Sequence, residues 1–334
     1  MGASGRPRIG VVGPVNVDLF IRGDAPRDME ELTRWVGPSA VELVAAGSIG
    51  YTVQVLARLG CEVEVCTTVG DDPFGAFLRS ALAAAGLGTS HVATAHGDTA
   101  IAIYMLLFGD AKRPFTYRLP SFAPWPDPPT LLDGRAPRPD MIVSGGLLHF
   151  PEMAGRGLGT LFAEARREGI RTAIDPQFPL VETAPPWLPL CADVLAEADI
   201  LLCDEGEGRA LFGVGDVPAT IEAAHAAGPA IVAVKRGEAG CIVSDGRRRI
   251  EQPAVTIPAQ QIREAVGAGD AFDAGFLDAL ARGMDLAEAA RRATATAALS
   301  LTGRGGAESV PGPDAVGAML DAVPPSRTVE ASPG

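Results

Sequence analysis

Cysteine and histidine are scarce in this sequence, and neither shows a disulfide or metal-binding pattern. The five cysteines lie at scattered positions without a C-x-x-C pair. An odd number in this arrangement is typical of free thiols in a reducing compartment. The four histidines have no H-E-x-x-H pattern and no cysteine at ligand spacing. We therefore expect neither a structural disulfide nor a zinc site, and we interpret the histidines as core or surface residues.

Long hydrophobic runs are also absent. The N-terminal segment MGASGRPR is followed by the apolar run IGVVG, which is too short for a signal peptide or a membrane span. A myristoylation signal would have serine or threonine where Arg6 stands. These features predict a cytoplasmic protein that has no membrane partner.

Basic residues are outnumbered, with 28 lysines and arginines against 41 acidic residues and a net charge of −13. No basic stripe is present to displace counterions from nucleic acid, so we expect no nucleic-acid partner. The P-loop pattern G-x-x-x-x-G-K-[ST], the dinucleotide fingerprint and the G-x-S-x-G elbow are missing as well. A P-loop enzyme, a Rossmann dehydrogenase and an α/β-hydrolase are therefore disfavoured.

What the sequence does contain is an alternation of short β-rich runs with alanine-rich helical segments. The runs are RIGVVG, EVEVCTTVG, DMIVSGG, RTAIDP, DILLCDE, AIVAVKRG and GCIVSDG. This alternation predicts an α/β fold, a three-layer αβα sandwich whose central sheet is mostly parallel and buried on both faces. We expect one domain over residues 1–323, and the Pro/Ser composition predicts disorder over residues 324–334.

Two segments interrupt the alternation, at residues 14–45 and 97–122. Their strand-like patterns without a helix predict antiparallel strands. They could form a small sheet that lies over the main sheet as a lid. The alternative is a pair of long hairpins without a function.

The stretch EAVGAGDAFDAGF, at residues 264–276, combines small residues, an acid and a helical pattern. Phe272, Phe276 and Leu280 recur at the spacing of one buried helix face, so Gly267 to Asp270 are predicted to form the helix N-terminus. A bare helix N-terminus attracts anions such as phosphate. The alternative is an ordinary helix start in which the acid caps the helix and the glycines allow tight packing.

The sequence resembles the PfkB, or ribokinase-like, family of small-molecule kinases. The family's signature, roughly D-T-x-G-A-G-D-x-F-x-x-G, corresponds to EAVGAGDAFDAG. Other features follow in the family's order: VVGPVNVDLF, AGSIGYTVQVLARLG, VGDDPFG, AIDPQ, ADILLCDEGE and VAVKRGEAG. The resemblance covers nearly the whole chain and implies a ribokinase-like fold.

The resemblance also implies a role for each matching residue. Asp270 would be the general base for the acceptor hydroxyl, and the N–H groups of Gly267, Ala268 and Gly269 would form the anion hole for the transferred phosphoryl group. Asp18 would bind acceptor hydroxyls. The remaining acceptor-side positions are Asn16, Gly47, Ser48 and Tyr51.

On the other side of the site, the resemblance implies binding of ATP and Mg²⁺. The matching nucleotide-side positions are Asp204, Lys235, Gly237, Gly240 and Thr294, and Glu207 matches the acid that organises Mg²⁺ through water. For Glu207, the alternative is a solvated acid at a helix start. The resemblance also suggests a homodimer formed through the lid.

Several positions depart from the family pattern. The signature begins with Glu264 instead of aspartate, and Ala265 and Val266 replace its hydroxyl-bearing residues, so a K⁺ requirement is open. Tyr51 and Gln177 stand where relatives have asparagine. We therefore expect an ATP-dependent kinase that phosphorylates a hydroxyl of a sugar or sugar acid, with the primary hydroxyl as the first expectation. The alternatives are a nucleoside kinase, in which Tyr51 stacks on the base, and a non-catalytic sugar-binding relative.

Overall fold

The computed structural model describes residues 5–23, 27–34, 39–106, 115–127, 129–150, 157–303 and 312–330. In chain order its strands are β1 (Arg8–Val12), β2 (Asn16–Gly23), β3 (Ser39–Ala46), β4 (Glu62–Gly70), β5 (Gly88–Ala95), β6 (Ile101–Leu106), β7 (Phe115–Arg118), β8 (Met141–Gly145), β9 (Arg171–Asp175), β10 (Ile200–Asp204), β11 (Ile231–Lys235), β12 (Cys241–Ser244), β13 (Arg248–Gln252) and β14 (Arg327–Glu330). Its α-helices are α1 (Met29–Thr33), α2 (Gly50–Arg58), α3 (Pro73–Ala84), α4 (Leu158–Arg167), α5 (Ala192–Glu197), α6 (Glu205–Phe212), α7 (Val217–Ala227), α8 (Ala268–Ala281), α9 (Leu286–Ser300) and α10 (Pro313–Leu320).

A ten-stranded sheet forms the centre of the described residues, in the order β14-β13-β12-β11-β10-β9-β8-β1-β4-β5. The pairs from β11 to β5 are parallel, whereas β12, β13 and β14 add an antiparallel end. The predicted α/β fold with a mostly parallel sheet is confirmed.

The sheet is buried on both faces because successive strand residues are apolar. In β1, Val11 belongs to one hydrophobic cluster and Val12 to the other, as the alternation of side chains across a strand requires. Residues of α2, α3, α8, α9 and α10 cover the first cluster, and residues of α4, α5, α6 and α7 cover the second. The predicted face of α8 is buried, since Phe276 and Leu277 are both 0% exposed. Within the described ranges, no helix is both long and apolar enough to cross a bilayer.

A second, four-stranded sheet has the order β3-β2-β6-β7 and is called the small sheet below. The strands predicted at residues 14–45 and 97–122 do form it, but two details of that prediction are wrong. β2 and β6 pair in parallel, because both follow strands that run in the same direction in the large sheet. The first segment also contains α1, which Asp28 caps by accepting from Glu31 N. Residues 24–26, 35–38 and 107–114 of these segments lie outside the described residues.

The end of the chain also differs from the expectation. Disorder over residues 324–334 is wrong for residues 327–330, which form β14 and pair with β13. An edge strand offers a row of unpaired N–H and C=O groups, and a short extended segment can satisfy them whatever its side chains. Residues 331–334 lie outside the described residues.

Candidate active site

Polar residues from separate parts of the sequence meet at the carboxyl ends of the parallel strands. The neighbouring strands β11, β10 and β9 end at Lys235, Asp204 and Asp175, and Asn16 follows the end of β1. The N-terminus of α8 lies at the same edge, because Gly269 and Lys235 line a common cavity. Ligands of open α/β sheets bind at this edge.

The first cavity has a volume of about 480 Å³ and lies between this edge and the small sheet. This volume suits a small organic molecule. The cavity unites most of the residues that the sequence singled out, which are Asn16, Asp18, Gly47, Ser48, Tyr51, Asp204, Glu207, Lys235, Gly237, Gly267, Gly269 and Asp270.

The second cavity, of about 630 Å³, lies on the other side of the α8 N-terminus. Gly240, Ala268 and Thr294 line it together with apolar side chains such as Val255 and Leu301. The residues common to both cavities are Lys235, Gly237 and Gly269. The two cavities therefore adjoin at the first turn of α8.

Gly267 is the N-cap residue of α8 and has a φ of 81°, in the left-handed region that favours glycine. A Cβ atom at this position would also lie 3.1 Å from the ring of Tyr51. The N–H groups in the first turn of a helix have no acceptor within the helix and attract anions. One of them is already engaged, since Ala268 N donates to Ala265 O over 3.3 Å.

Asp270 lies in that first turn and lines the first cavity. Thr52 Oγ1 donates a hydrogen bond to Asp270 Oδ1 over 2.9 Å, which orients the carboxylate. Burial raises the pKa of Asp270 to about 7, although the charge of Lys235 and the hydrogen bond from Thr52 oppose the rise. A carboxyl with this pKa is matched to proton transfer near neutral pH.

Asp18 is buried in β2 on the small-sheet side of the first cavity. It accepts hydrogen bonds from Asn16 Nδ2 over 2.6 Å and from the Tyr51 hydroxyl over 2.9 Å. Burial nevertheless raises the pKa of Asp18 to about 7. Tyr51 therefore lines the cavity and also holds the acid that faces it.

Lys235 lies at the junction of the two cavities, but two acids already hold its ammonium group. Lys235 Nζ donates to Asp175 Oδ2 over 2.7 Å and to Asp273 Oδ2 over 3.0 Å. Burial disfavours the charged lysine, yet Asp175 and Asp273 keep its pKa well above the usual value. Lys235 Nζ would lie 3.8 Å from a Cβ atom on Gly269, so a fixed positive charge stands beside the α8 N-terminus.

His149 is a cavity residue that the sequence analysis missed. Ser48 Oγ and His149 Nδ1 are hydrogen-bonded over 2.8 Å, while His149 Nε2 is buried and has no hydrogen-bond partner in the described part of the chain. Burial lowers the pKa of His149 to about 4, so the ring is neutral at pH 7. Gln177 Nε2 donates to Ser48 O, and its backbone has a φ of 57°, which is strained for glutamine.

Asp204 and Glu207 form a capping box at the start of α6. Glu207 N donates to Asp204 Oδ1 over 2.7 Å, and Asp204 N donates to Glu207 Oε2 over 2.8 Å. Asp204 lines the first cavity and does not line the second. Burial and the nearby Asp175 raise the pKa of Glu207 to about 8, so Glu207 is not a freely solvated acid.

These acids fit a hydrated magnesium ion better than a protein-caged one. Within the described ranges, no group of three or more His, Cys, Asp or Glu side chains is placed to hold a metal. Mg²⁺ usually keeps several waters and binds substrate phosphates. Glu207 lines the first cavity with a half-buried side chain, and burial and the charge of Asp175 raise its pKa, an environment that a divalent cation would relieve.

Two aromatic residues of the first cavity, Tyr104 and Tyr117, were also missed by the sequence analysis. The chain has three tyrosines, and all three, Tyr51, Tyr104 and Tyr117, line the first cavity. Tyr104 and Tyr117 lie on paired strands of the small sheet, where Ala102 is opposite Tyr117. In the sequence, only the rarity of tyrosine and the place of Tyr104 and Tyr117 in a segment with strand-like alternation indicated that these two residues belong to the site.

A family model for the pfkB family carbohydrate kinases matches residues 11–313. The chain belongs to this family. The predicted resemblance is thus confirmed, and with it the ribokinase-like fold around the site.

The chain is similar to kinases that are named for different acceptors. The 2-dehydro-3-deoxygluconokinase of Dickeya dadantii is 33% identical over 115 residues, which are 34% of this chain and 37% of that protein. The cytidine kinase of Thermococcus kodakarensis is 35% identical, and the match spans 36% of its length. The chain thus matches little more than a third of these two proteins. The ribokinase of Bacillus subtilis is 26% identical over 90% of this chain and 95% of that protein.

Solved structures show the same fold at low identity. The ribokinase of Arabidopsis thaliana, complexed with ribose and ATP, has a TM-score of 0.76 and 22% identity over 94% of this chain and 99% of that chain. A putative ribokinase II from E. coli, in complex with ATP and Mg²⁺, has a TM-score of 0.75 and 18% identity over 94% of this chain and 99% of that chain.

Proposed function

We propose that the protein transfers the γ-phosphoryl group of ATP to a hydroxyl of a sugar or sugar acid. The observation that carries this proposal is the position of Asp270. Its carboxyl lines the first cavity in the first helical turn after Gly267, beside the junction with the second cavity, and burial raises its pKa to about 7. The acceptor occupies the first cavity and ATP occupies the second.

The first cavity binds and orients the acceptor. Asp18 accepts hydrogen bonds from acceptor hydroxyls, and Asn16 and Tyr51 hold this carboxylate in place. Asp270, oriented by Thr52, accepts the proton of the reacting hydroxyl as its oxygen attacks phosphorus. The new O–P bond forms while the bond from the γ-phosphorus to the bridging oxygen of ATP breaks, and ADP leaves.

The α8 N-terminus stabilises the charge on the transferred group. Its backbone N–H groups at Gly267 and Gly269 are preorganised donors, and Lys235 adds a positive charge that Asp175 and Asp273 fix in place. Magnesium, with Glu207 as its outer partner on the first-cavity side of the junction, would neutralise charge on the phosphoryl group in transfer when it is bound. Gly237, Gly240 and Thr294 border the nucleotide.

A nucleoside is the second candidate acceptor, and the three tyrosines favour it. Aromatic rings stack on flat bases as well as on sugar faces, and Tyr51, Tyr104 and Tyr117 all line the first cavity. One pfkB relative is a cytidine kinase. One structural neighbour is a nucleoside kinase of Methanocaldococcus jannaschii.

The test is acceptor-dependent ADP release with ATP and Mg²⁺, measured over sugars, sugar acids, polyols and nucleosides, with and without K⁺. We expect one acceptor class to stimulate ADP release and to yield a phosphomonoester. The comparison with and without K⁺ shows whether the enzyme requires this cation, although Ala265 and Val266 replace the hydroxyl-bearing residues of the family signature. Acceptor binding without any transfer would support the non-catalytic alternative and contradict the proposal.

We also propose that the protein forms a homodimer through the small sheet. Val41 and Leu43 of β3 are 57% and 44% exposed. Because they are two positions apart, both side chains lie on the same face of the strand. In the register of β2 and β3, they stand opposite Ile21 and Leu19. The outer face of the small sheet is therefore apolar and suited to covering by a second copy.

A further inference from the structure

A partly buried ion pair joins the small sheet to the segment before α8. Arg22 Nη2 of β2 donates to Glu264 Oε2 over 2.8 Å, across 242 positions of the sequence. The side chains of Arg22 and Glu264 are 18% and 4% exposed. Since ion pairs gain strength when water is excluded, this contact is unlike the exposed pairs on the surface.

On the small sheet, Arg22 shares a strand face with the acceptor-binding acid. Side chains alternate along β2, so Asp18, Phe20 and Arg22 point to the same side. Arg22 lies over the ring of Phe20 at 5.1 Å, and Phe20 stacks on Tyr104 at 4.9 Å. The guanidinium is therefore packed into the face that lines the first cavity.

On the other side, Glu264 precedes the anion-binding turn by three residues. The backbone of this segment is fixed at the end of α9, where Arg263 N donates to Leu301 O over 2.8 Å and Glu264 N donates to the same oxygen over 3.4 Å. A glutamate side chain is one carbon longer than the aspartate of the family signature. This extra length lets its carboxylate extend further toward β2.

We propose that Arg22 and Glu264 are a positioning pair that sets the distance between the acceptor held by Asp18 and the phosphoryl group held at Gly267–Gly269. This inference rests on the proposed function. The reacting oxygen and the phosphorus belong to ligands that are held by different sheets. A displacement of about 1 Å between such partners can lower a rate about 100-fold.

The test compares Arg22→Gln, Glu264→Gln and the double variant with the wild type. The concentration of ATP-binding sites is measured by calorimetry, and each kcat is calculated per site. A variant that is partly unfolded therefore does not give a falsely low kcat. Each single variant should lose about 10- to 100-fold in kcat with the KM for ATP within about threefold, because only the relative placement of the substrates changes. The double variant should be no slower than the slower single variant, because both residues act through one contact.

Glu42→Gln is the matched control. Glu42 of β3 makes a second ion pair with Arg22, over 3.1 Å, and this pair joins two neighbouring strands of the small sheet. Its kcat should stay within about twofold of wild type. Single variants that keep wild-type kcat, or losses that multiply in the double variant, would contradict the positioning role. If Glu264→Gln does not fold, Glu264→Asp provides the same test, since it keeps the charge and withdraws it by one carbon.

Amide hydrogen exchange gives a readout that does not need activity. Arg22→Gln should speed exchange in residues 264–270 as well as in β2, whereas Glu42→Gln should leave residues 264–270 unchanged. Unchanged exchange in residues 264–270 of Arg22→Gln would reject the pair even if the protein is a kinase. A wild type that transfers phosphate to no acceptor would reject the proposed function, while the exchange experiment still decides on the pair.

Discussion

Asp18 and Asp270 face the same cavity, and burial raises the pKa of each to about 7. Their charges also oppose one another, since Asp270 contributes to the raised pKa of Asp18. Asp270 must be ionised to take the proton of the reacting hydroxyl, and ionised Asp18 accepts hydrogen bonds from hydroxyl groups more strongly than protonated Asp18 does. We therefore predict that kcat/KM rises with pH between about pH 6 and 8 and then levels off, with apparent pKa values that belong to the pair. A rate that is flat over this range would contradict it.

The same raised pKa has the opposite effect on stability. A carboxyl whose pKa is higher in the folded state stabilises the fold most when it is protonated, and this contribution is lost as the pH rises through about 7. Asp270→Asn should therefore unfold at a higher temperature than wild type near pH 8, by about 2 °C or more, and the gain should vanish near pH 3, below the ordinary aspartate pKa of 3.8, where Asp270 is protonated in both the folded and the unfolded state. Thermal unfolding at the two pH values measures it. A difference that does not depend on pH would contradict the raised pKa.

Tyr51 is the residue that we expect to set the preference of the first cavity for larger or flatter acceptors over small sugars. Its hydroxyl donates to Asp18 Oδ2, and its ring packs on Gly267. Tyr51→Asn should shift relative kcat/KM toward small sugars by about tenfold, because the aromatic face is lost and a hydrogen-bonding amide is gained.

Tyr51→Phe is the control, since it removes only the hydrogen bond to Asp18. It should weaken all acceptors alike, by about 1 kcal/mol or more, without changing their order. An unchanged ranking in Tyr51→Asn, with lowered stability, would show that the ring serves the core alone.

At the scale of single elements, the start of α8 is a constrained part of the site's backbone. Gly267→Ala would place a Cβ atom 3.1 Å from the Tyr51 ring in a backbone with φ of 81°. We predict a loss of about 1 to 3 kcal/mol in the free energy of unfolding and at least a tenfold loss in kcat, because the donors of the first turn move. Chemical denaturation and steady-state kinetics measure the two effects.

Gly283→Ala separates backbone strain from the effect on the site. Gly283 has a φ of 80°, and a Cβ atom there would meet no atom within 4 Å. It should lose about 1 kcal/mol of stability and keep its kcat. Equal kcat in the two variants would mean that the turn does not hold the phosphoryl group.

The elements that the sequence predicted are those whose side chains are apolar on both faces of the large sheet. The strands that it missed are β5, β13 and β14, and two of these are the edges of the large sheet. Edge strands are polar or short, as in GTSHVATA and RTVE, so hydrophobic patterning does not mark them. The parallel pairing of β2 with β6 escaped prediction because it joins segments far apart in the sequence.

The sequence predicted the site residues that belong to one short motif. It did not predict the residues that only tertiary contacts bring into the site. Gly267 to Asp270 follow from one short stretch, and the structure places them at a helix start in the first cavity or beside it. Asp273 and His149 enter the site through contacts with Lys235 and Ser48, which lie 38 and 101 positions away. The periodicity of the sequence reports helices and strands, and it contains no information on contacts between distant residues.

At the scale of the whole molecule, the outer face of the small sheet determines the proposed assembly. We predict that the wild type is a dimer in sedimentation velocity and that the Val41→Glu, Leu43→Glu double variant is a monomer, because two charges would be buried without partners. Val181→Glu, at another exposed apolar position, is the control and should remain dimeric. A monomeric wild type, or a double variant that stays dimeric, would contradict the proposal.

The central claim is that Asp270 accepts the proton while the first turn of α8 holds the phosphoryl group. Its most direct test is single-turnover transfer of labelled γ-phosphate from ATP to the acceptor, in wild type and in Asp270→Asn. Removing a general base costs about 10² to 10⁴ in rate, whereas the affinity for ATP should change by no more than about threefold. The account predicts this large loss of transfer with ATP still bound. An Asp270→Asn protein that retains more than about a tenth of the wild-type rate would contradict it.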